Sequence, residues 1–193
     1  MISLLLDSSS NRLSVALAKG QKVIASYDEK AFQTQSELLV AKINELLLET
    51  NIKPQAINNI VVAYGPGSFT GVRIAVNVAK IWAYALKINL YKVSSLYVYK
   101  NDLKPTICVL DARNNRSFAG IYSQNEVILE DKILTNDDVM HYVNEQGYAL
   151  GGETKHLGIS AVSYDRFANM LQAIKEENKV DDIAAFKPVY LKG

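Results

Sequence analysis

A glycine-rich segment between two apolar patterns constrains the fold of this chain more than any other feature. The segment Gly65–Gly71 follows a mostly apolar stretch at 59–63, which predicts a buried strand, and it precedes a helical pattern at 72–86. A strand that passes through a turn into a helix is typical of α/β folds. The sequence therefore predicts an α/β protein in which this turn joins a sheet to a helix.

Strand and helix patterns before and after the turn extend this unit. An antiparallel meander is predicted at 2–6, 13–17 and 23–27, a helix at 34–50, and a strand at 90–93. The resulting order, β-β-β-α-β-α-β, predicts a mixed sheet with helices packed on it.

A second, weaker cycle follows Lys104-Pro105. Strands are predicted at 106–111, 116–122, 127–129 and 148–150, and helices at 135–144 and from about 163 or 165 to 179. Asp7 and Asp111 each end the first strand of their cycle. We therefore predict two related subdomains, 1–103 and 104–193, the second of them shortened.

Composition restricts the class of protein. Of the 193 residues 49% are hydrophobic and 21% charged, as in ordinary globular proteins. No apolar run approaches the roughly 18 residues that a membrane helix needs. The segment Met1–Asp7 has no basic flank and resembles a strand rather than a signal peptide. Since Cys108 is a single cysteine, no internal disulfide is possible, and we expect a cytoplasmic protein without membrane contact.

Charge is balanced overall but unevenly distributed. The net charge of +1 argues against a bulk nucleic-acid binder. Residues 1–100 carry 11 basic and 6 acidic side chains, whereas residues 101–193 carry 10 and 14. No acidic residue lies between Glu49 and Asp102. This basic stretch is either a solvated surface or a face that meets an acidic partner or a phosphate.

The glycine-rich turn has the features of an anion site without a complete motif. A helix N-terminus exposes unpaired N–H groups, and Asp7 ends a neighbouring strand. No lysine follows Gly71, which excludes a Walker loop, and the glycine spacing differs from that of the dinucleotide fingerprint. Anion binding and a purely structural turn both remain open. The residues expected near an anion or nucleotide are Asp7, Gly65, Gly67, Ser68, Thr70, Gly71 and Arg73.

Small residues recur along the following helix. Gly71, Ala75, Ala79 and Ala83 lie four positions apart and form one stripe, beside a polar face that includes Lys80. Such a stripe permits close approach of another helix, either from a partner or from the chain's own sheet packing. No metalloprotease HExxH motif is present, and His141 and His156 are 15 residues apart. We therefore expect no metal site in this chain.

Several segments resemble one protein family. Gly65-Pro66-Gly67-Ser68-Phe69-Thr70-Gly71-Val72-Arg73 is similar to the signature of the bacterial TsaB (YeaZ) proteins, which take part in making N6-threonylcarbamoyladenosine in tRNA. The first hairpin, Ser36-Glu37-Leu38-Leu39, Val109-Leu110-Asp111-Ala112-Arg113 and the ending Pro188–Lys192 also match family landmarks. The resemblance is nearly continuous over residues 1–123 and thin beyond.

The resemblance implies an actin-like, ribonuclease H-like fold and a non-catalytic role. It implies a heterodimer with the related TsaD subunit, a TsaE-type ATPase as further partner, tRNA contact only through this complex, and a homodimer when TsaD is absent. It implies no intrinsic cofactor, with ATP at most at an interface shared in the complex. The main alternative is an independent actin-like phosphotransferase. A metalloprotease is a much less favoured alternative.

The resemblance also predicts an interface with TsaD, and the sequence departs from the family pattern in two ways. Helices 34–50 and 71–87 are expected to contact TsaD through Leu38, Gly71, Ala75, Ala79, Lys80 and Ala83. Gln35 stands where the family usually has histidine, which makes a metal site still less expected. The half after residue 104 is short for the family, so peripheral elements of the second subdomain are expected to be missing.

Overall fold

Two mixed β-sheets form the frame of the chain in a computed structural model, which describes residues 1–31, 34–124 and 126–191. The first sheet has the strand order β3-β2-β1-β4-β5. Its elements are β1 (Ile2–Asp7), β2 (Arg12–Lys19), β3 (Lys22–Lys30), α1 (Gln35–Glu49), β4 (Ile57–Ala63), α2 (Phe69–Leu86) and β5 (Asn89–Val93). β1 pairs antiparallel with β2 and parallel with β4. The predicted element order of this half is confirmed.

The second sheet has the order β8-β7-β6-β9. Its elements are β6 (Thr106–Arg113), β7 (Arg116–Ser123), β8 (Glu126–Thr135), α3 (Asn136–Asn144) and β9 (Ala149–Gly152), followed by α4 (Arg166–Gln172). β6 pairs antiparallel with β7 and parallel with β9, as β1 does with β2 and β4. The turn predicted at Gln124-Asn125 falls partly outside the described residues.

The side chains of β1 alternate between the two faces of the sheet, and both faces receive leucines. Leu4 and Leu6 pack on the side of the sheet that α1 and α2 cover, in one cluster with Ile43. Leu5 points to the opposite side, in a cluster with Met170 of α4. A strand covered on both faces is therefore mostly apolar instead of alternating between apolar and polar residues.

The small-residue stripe of α2 packs inside the chain. Ala75, Ala79 and Ala83 are fully buried in the cluster beneath α1 and α2. Small side chains let the helix axis lie close to the sheet, which maximises dispersion contacts. In this structure the three alanines pack inside the chain, and the contact expected between the stripe and a partner stays a prediction.

Two helix boundaries differ from the prediction. α2 begins at Phe69 rather than Val72, because the Ser68 side chain accepts a hydrogen bond from the Gly71 amide at 3.3 Å and caps the helix. α4 ends at Gln172 rather than near Lys179. After Ile174 the sequence continues with five polar residues, so a longer helix would have had no apolar face to bury.

The segment after α4 returns to the first sheet. The Val180 amide donates to Leu90 O of β5, and the Val189 amide donates to Tyr64 O, each at 2.8 Å. The Lys80 ammonium donates to two carbonyls of the segment, those of Ala184 and Phe186. The boundary predicted at residue 104 lies between the two sheets. Since α4 and this tail pack on the first half, the division of the chain into two domains at that residue stays a prediction. No helix among the described residues is long and apolar enough to cross a bilayer.

Candidate functional site

The glycine-rich turn is packed against the chain's own backbone. A Cβ at Gly67 would lie 2.3 Å from Ser9 O, and one at Gly71 would lie 1.9 Å from Ser8 O. The Ser68 amide donates to Ser9 O at 2.6 Å, and the Ser8 hydroxyl donates to Gly71 O at 2.7 Å. The glycines thus admit the loop after β1, which favours the structural interpretation of the turn over anion binding.

The start of the turn is closed by the returning tail. Gly65 has a φ of +118°, and a Cβ there would lie 2.3 Å from Val189 O. Its amide donates to Ser95 Oγ at 3.0 Å, and the Gly65-Pro66 peptide bond is cis. Both sides of Gly65 are therefore occupied by protein.

The residues expected near an anion lie in two separate environments. Asp7 is buried, whereas Ser68, Thr70 and Arg73 are exposed on the surface. The Arg73 guanidinium lies 5.0 Å from the ring centre of Phe69 and so covers an exposed aromatic side chain. These residues therefore differ in burial, and their position near an anion stays a prediction.

Asp7 is engaged by a residue from the other end of the chain. Its Oδ1 accepts hydrogen bonds from the amide and the hydroxyl of Ser9, at 2.9 and 2.6 Å. Its Oδ2 forms an ion pair with Nη1 of Arg166, and both side chains are almost completely buried. A strand-ending aspartate that is free to position a metal-bound phosphate would need open oxygens. Here Oδ1 already accepts two hydrogen bonds and Oδ2 is paired with a buried arginine, so little acceptor capacity remains.

The surroundings of Arg166 hold its positive charge in place. Its guanidinium lies 4.7 Å from the ring centre of Tyr99, and its Nε is 3.8 Å from Asp28 Oδ2. Burial by itself lowers the pKa of Arg166. The neighbouring Tyr99 and Asp7 raise the pKa by a larger amount, so the net pKa is raised. Burial raises the pKa of Asp28, but the hydrogen bond from Arg12 and the charge of Arg166 outweigh it, and the net pKa is lowered. Arg166 and Asp28 therefore stay ionised at neutral pH.

Sequence reasoning missed Arg166. It lies in the first turn of a seven-residue helix, and its partner Asp7 is 159 positions away. Gln35, which stands where the family usually has histidine, is buried and donates from its side-chain amide to Ser10 O at 3.1 Å. Among residues 1–31, 34–124 and 126–191, no three potential metal-ligating side chains cluster.

The exposed faces of α1 and α2 carry apolar side chains. Both helices pack on the same side of the first sheet. Val40 and Leu48 of α1 are 49% and 72% exposed, and Ile81 and Tyr84 of α2 are 66% and 77% exposed. We call these four residues the α1–α2 face. Leu38, predicted at the interface, is half-buried against the core, and Lys80 is held by the returning tail.

Comparison with known proteins assigns the chain to a family. The family model of TsaD, tRNA N6-adenosine threonylcarbamoyltransferase, matches residues 21–188. The tRNA threonylcarbamoyladenosine biosynthesis protein TsaB of Bacillus subtilis is 33% identical over 147 residues, which cover 72% of this chain. The chain belongs to the TsaD-related TsaB (YeaZ) family. TsaB of Buchnera aphidicola from Schizaphis graminum is 28% identical over 134 residues.

Structural comparison confirms the fold. YeaZ from Pseudomonas aeruginosa superimposes with a TM-score of 0.84 at 23% identity, over 98% of this chain and 99% of that one. The predicted actin-like α/β fold with two mixed sheets is thereby confirmed. The chain spans 62% and 63% of the length of the two TsaB proteins named above. The shortening of the second subdomain stays a prediction.

Proposed function

We propose that this TsaB-family chain is the non-catalytic accessory subunit of tRNA N6-threonylcarbamoyladenosine synthesis. In this proposal it binds a TsaD-type catalytic subunit through the α1–α2 face and holds that subunit in an active conformation. The curated TsaB relatives are named for this biosynthesis, and the matching family model is that of the transferase. Both support the proposal.

The observation that carries the proposal is the exposed α1–α2 face. Large apolar side chains that remain in water lose the stabilisation that burial would give them. Ile81 and Tyr84 are three positions apart on α2, so they lie on the same side of the helix. A stable heterodimer buries about 1,200 Å² or more, which two helix faces side by side are able to supply.

The buried Asp7–Arg166 pair supports a role without catalysis. The carboxylate that stands at the end of the first strand is neutralised by the chain's own arginine. A metal-bound phosphate at this point would have to displace that arginine and leave a buried charge unpaired, which is costly. We therefore propose no intrinsic cofactor, and ATP only at an interface that the complex shares.

Further partners follow from the same proposal. A TsaE-type ATPase joins the pair, and a homodimer through the α1–α2 face forms when TsaD is absent, since one face serves one partner at a time. The near-neutral net charge of +1 favours tRNA contact through the complex rather than through this chain alone. Because the substrate is tRNA, the proposal places the chain in the cytoplasm.

Co-purification with the TsaD of the same organism tests the proposal. Ile81→Glu and Tyr84→Glu place charges in the α1–α2 face and are expected to weaken TsaD binding at least about tenfold. The matched control is Leu103→Glu, because Leu103 is 89% exposed and lies outside both helices. It should leave binding unchanged. A threonylcarbamoylation assay with TsaD should lose activity when the wild-type chain is omitted or replaced by either face variant.

Two results would overturn the proposal. One is wild-type binding and stimulation of TsaD by both face variants while they fold normally. The other is ATP turnover by the isolated chain, which would favour the independent phosphotransferase instead. Thermal unfolding of each variant separates loss of binding from loss of fold.

A further inference from the structure

A cavity of about 220 Å³ lies between the two sheets, apart from the Asp7–Arg166 pair. Its walls come from the ends of β4 and β5, from β7 and β8, and from the segment that follows α4. Its position at the carboxyl ends of parallel strands is where open α/β sheets bind ligands. The proposed scaffold role leaves this cavity without an assigned occupant.

A carboxylate is seated in the cavity wall. The Ser94 hydroxyl donates to Asp131 Oδ2 at 2.5 Å, and the Tyr122 hydroxyl donates to Asp131 Oδ1. A Cβ at Gly120 would lie 2.5 Å from that Oδ1, so the glycine leaves room for the carboxylate. An ionised carboxylate accepts about four hydrogen bonds, and the protein supplies two. Asp131 therefore retains acceptor capacity for a donor inside the cavity.

A cation lines the same cavity. Lys92 of β5 is half-buried, and its ammonium lies 5.8 Å from the ring centre of Tyr64. Within the described residues no carboxylate lies within 4.0 Å of it. The other lining lysine, Lys175, is 4.0 Å from Glu177. Lys92 is thus the cation available to an anionic group of a ligand.

The rest of the wall fits a small ligand with some apolar surface. The rings of Tyr97 and Tyr122 meet edge to face, with their centres 5.3 Å apart, beside Val127 and Ala173. Its volume of about 220 Å³ is smaller than the roughly 300 Å³ at which drug-sized sites begin.

We propose that the cavity binds a free α-amino acid. The ammonium group would donate to Asp131, the carboxylate would pair with Lys92, and a small side chain would lie against the tyrosine rings. A ligand with an amino group alone would leave Lys92 without an anionic partner. A ligand with a carboxylate alone would leave Asp131 without a cationic partner. A zwitterion carries one group of the required charge for each of the two residues.

Ionisation of Asp131 makes the binding pH-dependent. Burial raises its pKa to about 6, although the hydrogen bonds from Ser94 and Tyr122 lower it in part. The titratable groups that line the cavity around it are Tyr64, Lys92, Tyr97, Tyr122, Glu130, Lys175 and Glu177. Because only the carboxylate form attracts an ammonium group, affinity should fall by up to about tenfold per pH unit below pH 6.

Saturation-transfer NMR of the full chain with the standard L-amino acids, each at about 10 mM, tests the proposal. At least one amino acid should bind saturably near neutral pH, and ethanolamine and lactate should bind at least about tenfold more weakly. Asp131→Asn and Lys92→Met should each lower the affinity at least about tenfold, whereas the exposed controls Asp181→Asn and Lys104→Met should not change it.

Three outcomes would overturn the amino-acid site. They are the absence of binding by any amino acid, equal binding of ethanolamine or lactate, and unchanged affinity in Asp131→Asn. Should that variant fail to fold, Lys92→Met and the pH profile of wild-type binding decide the question. TsaD binding plays no part in this test, so its failure and the failure of the scaffold proposal are distinguishable.

Discussion

The guanidinium of Arg166 pairs with the carboxylate of Asp7 across 159 positions of the chain. The pair joins the first turn of α4 to the end of β1. Both residues are buried, so water is not available to replace either partner. A buried charge that loses its partner is much more costly than a surface charge.

Breaking this pair should destabilise the fold strongly. Asp7→Asn or Arg166→Met should each lower the free energy of unfolding by about 3–5 kcal/mol, since each leaves one partner unmatched. The double variant should cost less than the sum of the two. Urea denaturation of the four proteins measures the coupling. Lys175→Met, which breaks the exposed pair with Glu177, is the control and should cost no more than about 1 kcal/mol. Additive losses would contradict the pairing.

Asp131 should make stability fall as the pH rises through mildly acidic values. Its pKa is about 6 in the folded chain against an ordinary value of 3.8, so the folded state holds a proton that the unfolded state has released. Between about pH 4 and pH 6 this group should cost about 1–3 kcal/mol of the free energy of unfolding. Asp131→Asn should remove that part of the pH dependence, which shows in the difference between the two proteins' denaturation curves. Equal pH profiles would refute the shift, and Asp181→Asn controls for a lost exposed charge.

Gly71→Ala should disrupt the turn between β4 and α2. The new Cβ would lie 1.9 Å from the backbone oxygen of Ser8, which belongs to a buried loop and has little freedom to move. We expect a loss of about 3 kcal/mol or more by thermal or urea unfolding. In Gly147→Ala nothing lies within 4 Å of the new Cβ, and only the left-handed backbone adds strain. That control should cost about 1–2 kcal/mol.

Ala79→Leu should act on the fold of the isolated chain. Because Ala79 is fully buried between α2 and the sheet, the larger side chain overpacks the core at a cost of about 1–3 kcal/mol. Ala85→Leu, on the exposed side of the same helix, should change stability by less than about 0.5 kcal/mol. If both variants unfold at the wild-type temperature, the burial of the stripe is wrong.

Regular elements with strong periodicity were predictable from the sequence. The apolar run of β1 and the 3.6-residue spacing of α1 report burial directly. The small residues of α2 left two interpretations open, because close packing on a sheet and on a partner helix require the same side chains. β8 was predicted at 127–129 but spans Glu126–Thr135, since a partly exposed strand at the sheet edge has only a weak apolar pattern.

The polar clusters were not predictable. Arg166 meets Asp7, and Asp131 meets Ser94, only when the second half folds onto the first. No spacing rule along one element reports such partners. The family resemblance identified the glycine-rich turn correctly, but it did not indicate that the turn is filled by the chain itself.

The returning tail also has a consequence for synthesis on the ribosome. Gly65 is covered by Val189, and β5 gains its outer neighbour from Val180. The first sheet is translated early, yet two of its boundaries are closed by residues that are translated more than 80 positions later. The nascent first half therefore has an uncovered edge until these residues are synthesised. Its native state is completed only after the second sheet has emerged from the ribosome.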